Sequence, residues 1–481
     1  MENLFSRRDF LLQAGGAASA LGLALLTGGC ESCAEQIAHR PIRRNIANLA
    51  ANDPIVETYK AAVSAMKALP STDPRNWTRQ ASIHNDHCPH GNWFFLPWHR
   101  AYLLYFERIC RKLGGNNDFA LPYWNWTAQP SIPPHFWGSG NPLFDSNRFA
   151  TAIDAVPPEF VGQPVLDNIL SEPNFLLFAS GASSTQRGPG SYGQLEATPH
   201  NNVHNFVGGD MGTFMSPLDP VFWCHHNMID CCWVDWNLVR HNDNTSDTTW
   251  TNFTFTDFVD ENSNPVSVKV VTTLLMPILS YQYEPCQADE PAPVGLSSAQ
   301  SKALQEFVNR GAPVQLKFTQ RFAMQKALAG RVGRPVTASI KVQPEALRMA
   351  LEAGSKQQLV LSLGGIDVPS KPDFFVRAFV NKPDVSAQTP IEDPHYAGSF
   401  GFFVDKAAMH MTEAEHTQIG VMVNLTPALR RLGQGGAISK RQTVDIQLVA
   451  VPYPRREAKE EQFTLQQLEL GIMPSPGIEK Q

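Results

Sequence analysis

The sequence predicts a mainly α-helical bundle followed by a small β-sandwich, and three observations carry that prediction. Apolar residues recur at helical spacing over Ile55 to Leu69, Trp98 to Leu113 and Pro220 to Leu238, the pattern of helices that bury one face against neighbours. From Val336 onward the pattern changes to alternation, the signature of half-buried strands. Eight of the fourteen histidines fall within Ile83 to His99 and His200 to His226. That clustering is too tight for scattered core positions, so the helical half is expected to hold a metal centre.

Taken from the N-terminus, the first thirty residues read as an export signal: Arg7 and Arg8 lead into an apolar run ending at Leu25 and Leu26. The stretch Ser6-Arg7-Arg8-Asp9-Phe10-Leu11 resembles the twin-arginine signal of bacteria, which carries proteins already folded around their cofactors to the periplasm. An ordinary secretory signal with two arginines is the alternative. Cys30 follows Thr27-Gly28-Gly29 and offers a site for a lipid anchor, although Thr27 stands where lipoprotein signals carry leucine. No later apolar run reaches about eighteen residues, so no membrane span is expected.

The 481 residues are too many for one ordinary core. With 43% hydrophobic and 17% charged residues the chain is globular, and a net charge of -6 provides no basic surface for nucleic acid. The helical unit is expected over residues 31–290. Its long polar loops, Gln129 to Pro142 and Ala179 to Gly193, are of a length that usually carries function. Pro285, Pro291 and Pro293 open a linker over residues 291–335 that includes a short helical stretch, Ser298 to Arg310.

Alternation then runs through Val336-Ala338-Ile340-Val342, Leu359-Leu361-Leu363, Phe375-Arg377-Phe379, Ile419-Val421-Val423 and Val444-Ile446-Leu448-Ala450. These define a sandwich over residues 336–456, followed by a polar tail over 457–481. Cys224, Cys231 and Cys232 lie within apolar helical pattern and are expected as packed thiols. Trp98, Trp223, Trp233 and Trp236 match core spacing.

Within the first histidine window, His84, His87, His90 and His99 surround Cys88. In the second, His200 and His204 stand four apart, which puts both rings on one face of a helix, and Asp219-Pro220 opens another helix with His225 and His226 near its start. Imidazole suits copper, zinc, iron and nickel alike. A hydrolytic zinc site would show His-Glu-x-x-His or a carboxylate ligand, and a non-haem iron site two histidines and a carboxylate; neither pattern is present. Two sets of three neutral imidazoles suit a pair of soft, redox-active ions.

Two long motifs sharpen this reading. His90-x4-Phe95-Leu96-Pro97-Trp98-His99-Arg100-x2-Leu103-x3-Glu107 and Asp219-Pro220-Val221-Phe222-Trp223-x2-His226-x3-Asp230 resemble the two copper motifs of the tyrosinase and polyphenol oxidase family. Tyr281-x-Tyr283 is similar to the tyrosine motif that closes the family's central domain, with Arg43 or Arg44 as its partner. The stretch Asp393 to Phe403 resembles part of the C-terminal domain of plant-type members.

The resemblance implies two copper ions, one held by His84, His90 and His99 and the other by His200, His204 and His226. His87 lies close to His84, and the spacing to Asp230 selects His226 over His225. It further implies a thioether from Cys88 to His90, the alternatives being a free or disulfide-bonded cysteine. Asp230 stands one turn after His226 and would hold that region by hydrogen bonds. Arg100 and Glu107 are expected in packing and surface pairing.

The implied activity is dioxygen-dependent oxidation of phenols: ortho-hydroxylation of monophenols and oxidation of o-diphenols to o-quinones. The alternatives are a catechol oxidase confined to o-diphenols and a haemocyanin-like dioxygen carrier, which the export signal and single catalytic domain disfavour. Hydroxylation needs a phenolate, and a free phenol has a pKa near 10. Glu196 occupies the family position that holds a water to take the proton, and Asn201 the position that polarises it. Asn205 stands at a further activity-modulating position, and Thr213 and Phe214 are both candidates for the residue guarding the entrance.

The sandwich resembles a domain that lies over the copper pocket and inserts one side chain into it, with exposed cleavage sites expected at Pro285 to Pro293 and Gly330 to Pro335. Met409-His410-Met411 is either a surface loop or a short copper-passing tract.

Overall fold

The computed structural model of the chain describes residues 40–188, 190–284, 318–322, 327–352, 354–404, 419–433, 443–458 and 460–474. The export signal over residues 1–30 with Cys30, the Pro285 to Pro293 segment and Met409-His410-Met411 lie outside the described residues.

Five helices frame the first unit. Helix α1 (Pro54–Ala68) starts where Asp53 accepts the Ile55 N–H and Pro54 takes a first-turn position that needs no donor; it buries Val56, Tyr59, Ala62, Val63 and Met66 along one face. Helix α2 (Trp77–His87) is capped by the Asn76 side chain, which accepts from Thr78 and Arg79. Helix α3 (Phe95–Gly114) is buried continuously from Phe95 to Glu107, as befits a central helix. It stops at Gly115, whose φ of 69° is a left-handed conformation that glycine adopts without strain.

Helix α4 (Asn201–Val207) continues from a π-helical turn over Glu196–His200. Helix α5 (Val221–Val234) begins where Asp219 accepts the Val221 N–H, and Arg148 clamps the same carboxylate through two nitrogens at 2.7 and 2.5 Å. Helix α3 packs between α1 and α5.

Short strands complete the helical unit: β1 (Ile42–Arg43), β2 (Ser191–Tyr192), β3 (Thr254–Val259), β4 (Pro265–Lys269) and β5 (Gln282–Tyr283). β1 pairs with β5 in parallel and β3 with β4 antiparallel. The second unit comprises β6 (Gln320–Phe322), β7 (Leu328–Arg331), β8 (Val336–Lys341), β9 (Gln357–Asp367), β10 (Phe374–Val380), β11 (Tyr396–Phe400), β12 (Ile419–Asn424), β13 (Thr443–Pro452) and β14 (Gln462–Pro474). One sheet has the order β11-β10-β13-β8. The other runs β2-β12-β9-β14-β6, with β7 also on β14.

The inward faces of the two sheets share one apolar core, including Ile340, Leu361, Val376, Val421, Ile446 and Leu468. Strand β2 comes from the helical unit's long loop, pairing Ser191 with Gly420 and Tyr192 with Val421, so the two units share a sheet.

Four expectations are corrected here. Residues 462–474, read as polar tail, form the 13-residue strand β14 beside β9. Phe463 and Leu465, then Leu468, Leu470 and Ile472, face the sandwich core; Gln466 and Gln467 change the phase opposite Gly365, whose φ is 61°, and this hides the alternation. Residues 320–322 and 328–331, read as linker, are strands β6 and β7. Gly330 to Pro335 is exposed at Gly333, Arg334 and Pro335 but is not a loose linker, since Val332 N–H donates to Glu461 O and Gly333 N–H to Ala450 O. Cys231 is disulfide-bonded, whereas Cys224 and Cys232 are buried free thiols as expected.

Candidate metal centre

Four elements deliver the histidines to one buried place. His84 is on the inner face of α2 with Trp77, Gln80 and Ala81, His90 follows a sharp exit from that helix, and His99 occupies the second turn of α3. His200 ends the π-turn, His204 lies on α4 and His226 on α5. The ring centroids of His84, His90 and His99 form a triangle with every side 5.4 Å. Those of His200, His204 and His226 form a second, with sides of 4.6, 4.9 and 5.2 Å. The triangles meet where His99 stacks on His226 at 4.4 Å and His90 faces His200 at 5.3 Å.

Hydrogen bonds fix which nitrogen is available in five of the six rings; the buried His226 Nδ1 has no protein partner. A carbonyl oxygen can only accept, so a ring nitrogen bonded to one carries the proton and leaves its lone pair on the other nitrogen. His84 Nδ1 donates to Phe214 O at 2.7 Å, His99 Nδ1 to Phe95 O at 2.8 Å and His204 Nδ1 to Met211 O at 2.7 Å. His200 Nδ1 donates to Asn201 Oδ1 at 2.8 Å, and His90 Nδ1 pairs with Glu196 Oε1 at 3.1 Å.

The Nε2 atoms of His84, His90, His99 and His200 are buried without a protein partner, and that of His204 faces His226 Nε2 at 3.0 Å. Buried polar atoms are nearly always bonded, so these orphaned lone pairs fit metal ions. Burial lowers the pKa of every one of these rings, to about 3 for His99 and His204, which keeps them neutral and ligand-competent.

His225 is equally buried and close, but its Nδ1 accepts from Trp126 Nε1 at 3.2 Å. The proton therefore resides on Nε2, the wrong tautomer for a ligand on that side. His87 lies half exposed beside Asp257, away from the trios. Cys88 is a buried free thiol grouped with His84 and His90, and burial pushes its pKa up, so it is a neutral thiol and not a thiolate ligand.

The ionic frame behind the centre differs from the sequence expectation. Arg100 and Glu107 are fully buried, not surface-paired. Arg100 Nε reaches Asp230 Oδ1 at 2.5 Å, and Arg43 bridges Glu107 at 2.8 Å and Asp230 at 3.4 Å. Tyr281 and Tyr283 each donate to Asp230 at 2.7 Å, and Arg43 stacks 3.5 Å over Tyr281, which selects Arg43 over Arg44 as the tyrosine partner. This network ties α3, the helix of His99, to α5, the helix of His226. The signal missed was position: a charged residue directly after a histidine on a central helix cannot reach the surface.

Glu196 is fully buried. Its Oε1 accepts from the Gly91 N–H at 2.8 Å and its Oε2 from Ser180 Oγ; burial outweighs both bonds and raises its pKa to about 8. Asn201 is bonded at both ends, through Oδ1 to His200 and through Nδ2 to Gly401 O at 2.9 Å. Asn205 Nδ2 donates to Phe402 O at 2.8 Å and to the Tyr453 hydroxyl at 3.2 Å. Of the two entrance candidates, Phe214 faces His90 at 5.3 Å, while the Thr213 hydroxyl turns back onto Asp210 O and Met215 N.

Sequence reasoning did not single out Ser180, Trp126, Tyr453 or Phe403. Phe403, from the segment after β11, is 1% exposed and its ring lies 4.5 Å from His204, 4.9 Å from His90 and 5.8 Å from His200, stacked 5.1 Å from Phe214. Among the described residues no helix is long and apolar enough to cross a membrane.

A helical bundle that gathers two trios of neutral imidazoles in one buried centre has the donor set of a histidine-ligated metal site. Comparison with known proteins names the class further. The common central domain of tyrosinase matches residues 73–175 and 158–239. The chain is 31% identical to tyrosinase HcTyr1 of Hahella sp. (strain CCB-MM4) over 50% of its own length and 63% of that protein. It is 32% identical to the chloroplastic polyphenol oxidase A1 of Vicia faba over 57% of its own length and 53% of that one. The matches thus span little more than half of these relatives.

Among solved structures, a latent aurone synthase (polyphenol oxidase) aligns with a TM-score of 0.66 at 25% identity, covering 91% of this chain and 90% of that one. The chain belongs to the tyrosinase and polyphenol oxidase family, whose members bind a type-3 dicopper centre.

Proposed function

We propose that the chain is a dioxygen-dependent phenol oxidase with two coppers, one held by His84, His90 and His99 and the other by His200, His204 and His226. The observation that carries the reading is the pair of imidazole triangles around a shared, buried centre, in which hydrogen bonds at Nδ1 of His84, His90, His99, His200 and His204 leave their Nε2 lone pairs free and His226 Nε2 lies 3.0 Å from that of His204. Copper bound there would supply the electron transfers to dioxygen, converting two o-diphenols and one dioxygen to two o-quinones and two waters, or a monophenol and dioxygen to an o-quinone and water.

The protein's own work is positioning and exclusion. Carbonyls of Phe95, Met211 and Phe214 hold the rings, and the Arg100–Asp230–Arg43–Glu107 network holds the two helices in register. Phe214 and Phe403 keep water out. We assign Glu196 as the group that receives the phenolic proton through a water, and Asn201 as the residue that polarises that water; with its pKa raised to about 8 the carboxyl is a stronger base than a free carboxylate but is mostly protonated at neutral pH, so proton uptake should grow as the pH rises towards 8. We assign Cys88 to a thioether with a ring carbon of His90, in keeping with its place beside that ring; the C–S bond replaces the thiol S–H and a ring C–H, and dioxygen, the oxidant of the proposed activity, takes the two electrons and two protons.

Phe403 is proposed as a plug that makes the full-length chain poorly active until its segment lifts. The arginine pair and apolar run of residues 1–30 support export through the twin-arginine route. One observation favours a catechol oxidase instead: Glu196 and Asn201 are both fully bonded, to Ser180, Gly91, His90, His200 and Gly401, so no group stands ready to take a phenol proton in this arrangement. Oxygen uptake by the copper-loaded protein, measured with a monophenol and its o-diphenol side by side, separates the readings. Uptake with both supports the phenol oxidase, uptake with the diphenol alone the catechol oxidase, and uptake with neither refutes both.

A further inference from the structure

We propose that Asn201 couples copper loading at His200 to the seating of the covering segment, so that the metal and the C-terminal domain stabilise each other through one side chain. The inference rests on the copper assignment of His200 made above. Asn201 is the middle of a continuous chain: His200 Nδ1–H donates to Asn201 Oδ1 at 2.8 Å, and Asn201 Nδ2–H donates to Gly401 O at 2.9 Å. The orientation of the amide is settled at the far end, because the Gly401 carbonyl can only accept. That places Oδ1 against His200, holds its proton on Nδ1 and leaves Nε2 free for metal. A reversed amide would present a donor to Nδ1 and drive the proton to Nε2.

The contact is built for close approach. A Cβ at Gly401 would lie 2.4 Å from Asn202 Oδ1 and 2.6 Å from the Tyr453 hydroxyl, so glycine alone lets the segment come this near. Around it, Gly401 N–H donates to Ala197 O at 2.8 Å, Thr198 Oγ1 to Ser399 O at 2.7 Å and Tyr453 Oη to Asn202 Oδ1 at 2.6 Å. The segment therefore grips the π-turn and short helix that carry His200 and His204. It touches the other trio through the Phe403 ring.

A cation on Nε2 makes Nδ1–H a stronger donor, which polarises the amide and strengthens its bond to Gly401, since hydrogen bonds in a chain reinforce one another. Thermodynamic reciprocity then requires that a seated segment tighten copper at His200.

The test is hydrogen–deuterium exchange over residues 396–404 of the full chain, chelator-treated and then copper-loaded, with metal content measured in parallel. Copper should slow exchange in this segment about threefold or more, without a matching change in the β9–β14 pair. Asn201→Asp offers an acceptor to His200 but no donor to Gly401, so it should bind copper yet show no copper-dependent slowing. Gly401→Ala, which leaves Asn201 intact and displaces the segment, should exchange fast with and without copper.

Copper-bound wild type with unchanged segment exchange overturns the inference, as does an Asn201→Asp variant that slows like wild type. Slowing spread equally through the sandwich also overturns it, by pointing to global stabilisation. Should Asn201→Asp fail to fold, the nearly isosteric Asn201→Leu, which has no bonding atoms, takes its place and should likewise show no copper-dependent slowing, a result that the separate Phe403 contact would not give. A wild type that takes up no copper refutes the metal assignment itself and is seen directly in the metal content.

Discussion

Replacing Phe403 with alanine in the full-length chain should open the centre. The ring is 1% exposed, stacked on Phe214 and within 5 Å of His204 and His90, so the segment's attachment draws on nearly complete burial of a phenyl group. Burial of that size contributes about 1.5–3 kcal/mol, and the aromatic pairing about 0.5–1.5 kcal/mol more. At 1.4 kcal/mol per tenfold, losing these terms shifts the balance between seated and lifted segment by roughly 30-fold to 1,600-fold. The hole left behind has the shape of a phenol ring directly over the histidines.

Oxygen uptake with an o-diphenol, normalised to bound copper, should therefore rise at least about tenfold over wild type, with Phe403→Leu in between. A Phe403→Ala protein that keeps its copper and its thermal transition but shows no gain would refute the plug. It would then leave the sandwich as a buttress.

Three further outcomes are expected. His204→Ala should lose the copper of the second trio and all phenol oxidation, because the nearest imidazole outside the two trios, His225, is held by Trp126 at Nδ1 and carries its proton on Nε2; two coppers per chain by metal analysis would contradict the assignment. Glu196→Gln should depress monophenol turnover about a hundredfold or more while sparing diphenol turnover, and equal loss on both would place the damage at the metals.

Asp230→Asn should lower stability at pH 7 by about 3–5 kcal/mol, since it strands Arg100 and Arg43 in the interior. Burial would raise the Asp230 pKa, but the two arginines lower it, so its contribution is present above the ordinary carboxylate range and lost as pH falls through the folded value. The gap between wild type and variant should accordingly begin to narrow below about pH 4 and go on narrowing as the pH falls further. A gap that stays constant from about pH 7 down to the acid limit of folding would locate the effect in packing.

The helical half was legible because its signals are local. Caps, the buried stripe of α1 and the histidine windows all lie within a few turns of one another, and His90 to Glu107 forms one continuous motif. What escaped depends on partners far along the chain. Glu107 reads as a surface charge until Arg43 arrives 64 residues away, and Trp126 decides the tautomer of His225 across 99 residues. Strand β14 was missed because Gln466 and Gln467 break its alternation where β9 carries Gly365 in a left-handed conformation. Phe403 was inside the stretch picked out by resemblance, yet its choice needs the turn after β11 that carries it onto the imidazoles.

Copper titration of the chelator-treated chain, repeated for each histidine replaced by alanine, tests the central claim most directly. The account predicts two equivalents for wild type and for His87→Ala and His225→Ala. It predicts fewer than two for alanine at His84, His90, His99, His200, His204 or His226, because these six rings make up the two trios, whereas His225 is turned by its Nδ1 bond from Trp126 and His87 lies half exposed. Two equivalents retained by any of the six, or one lost from His225→Ala, would contradict it.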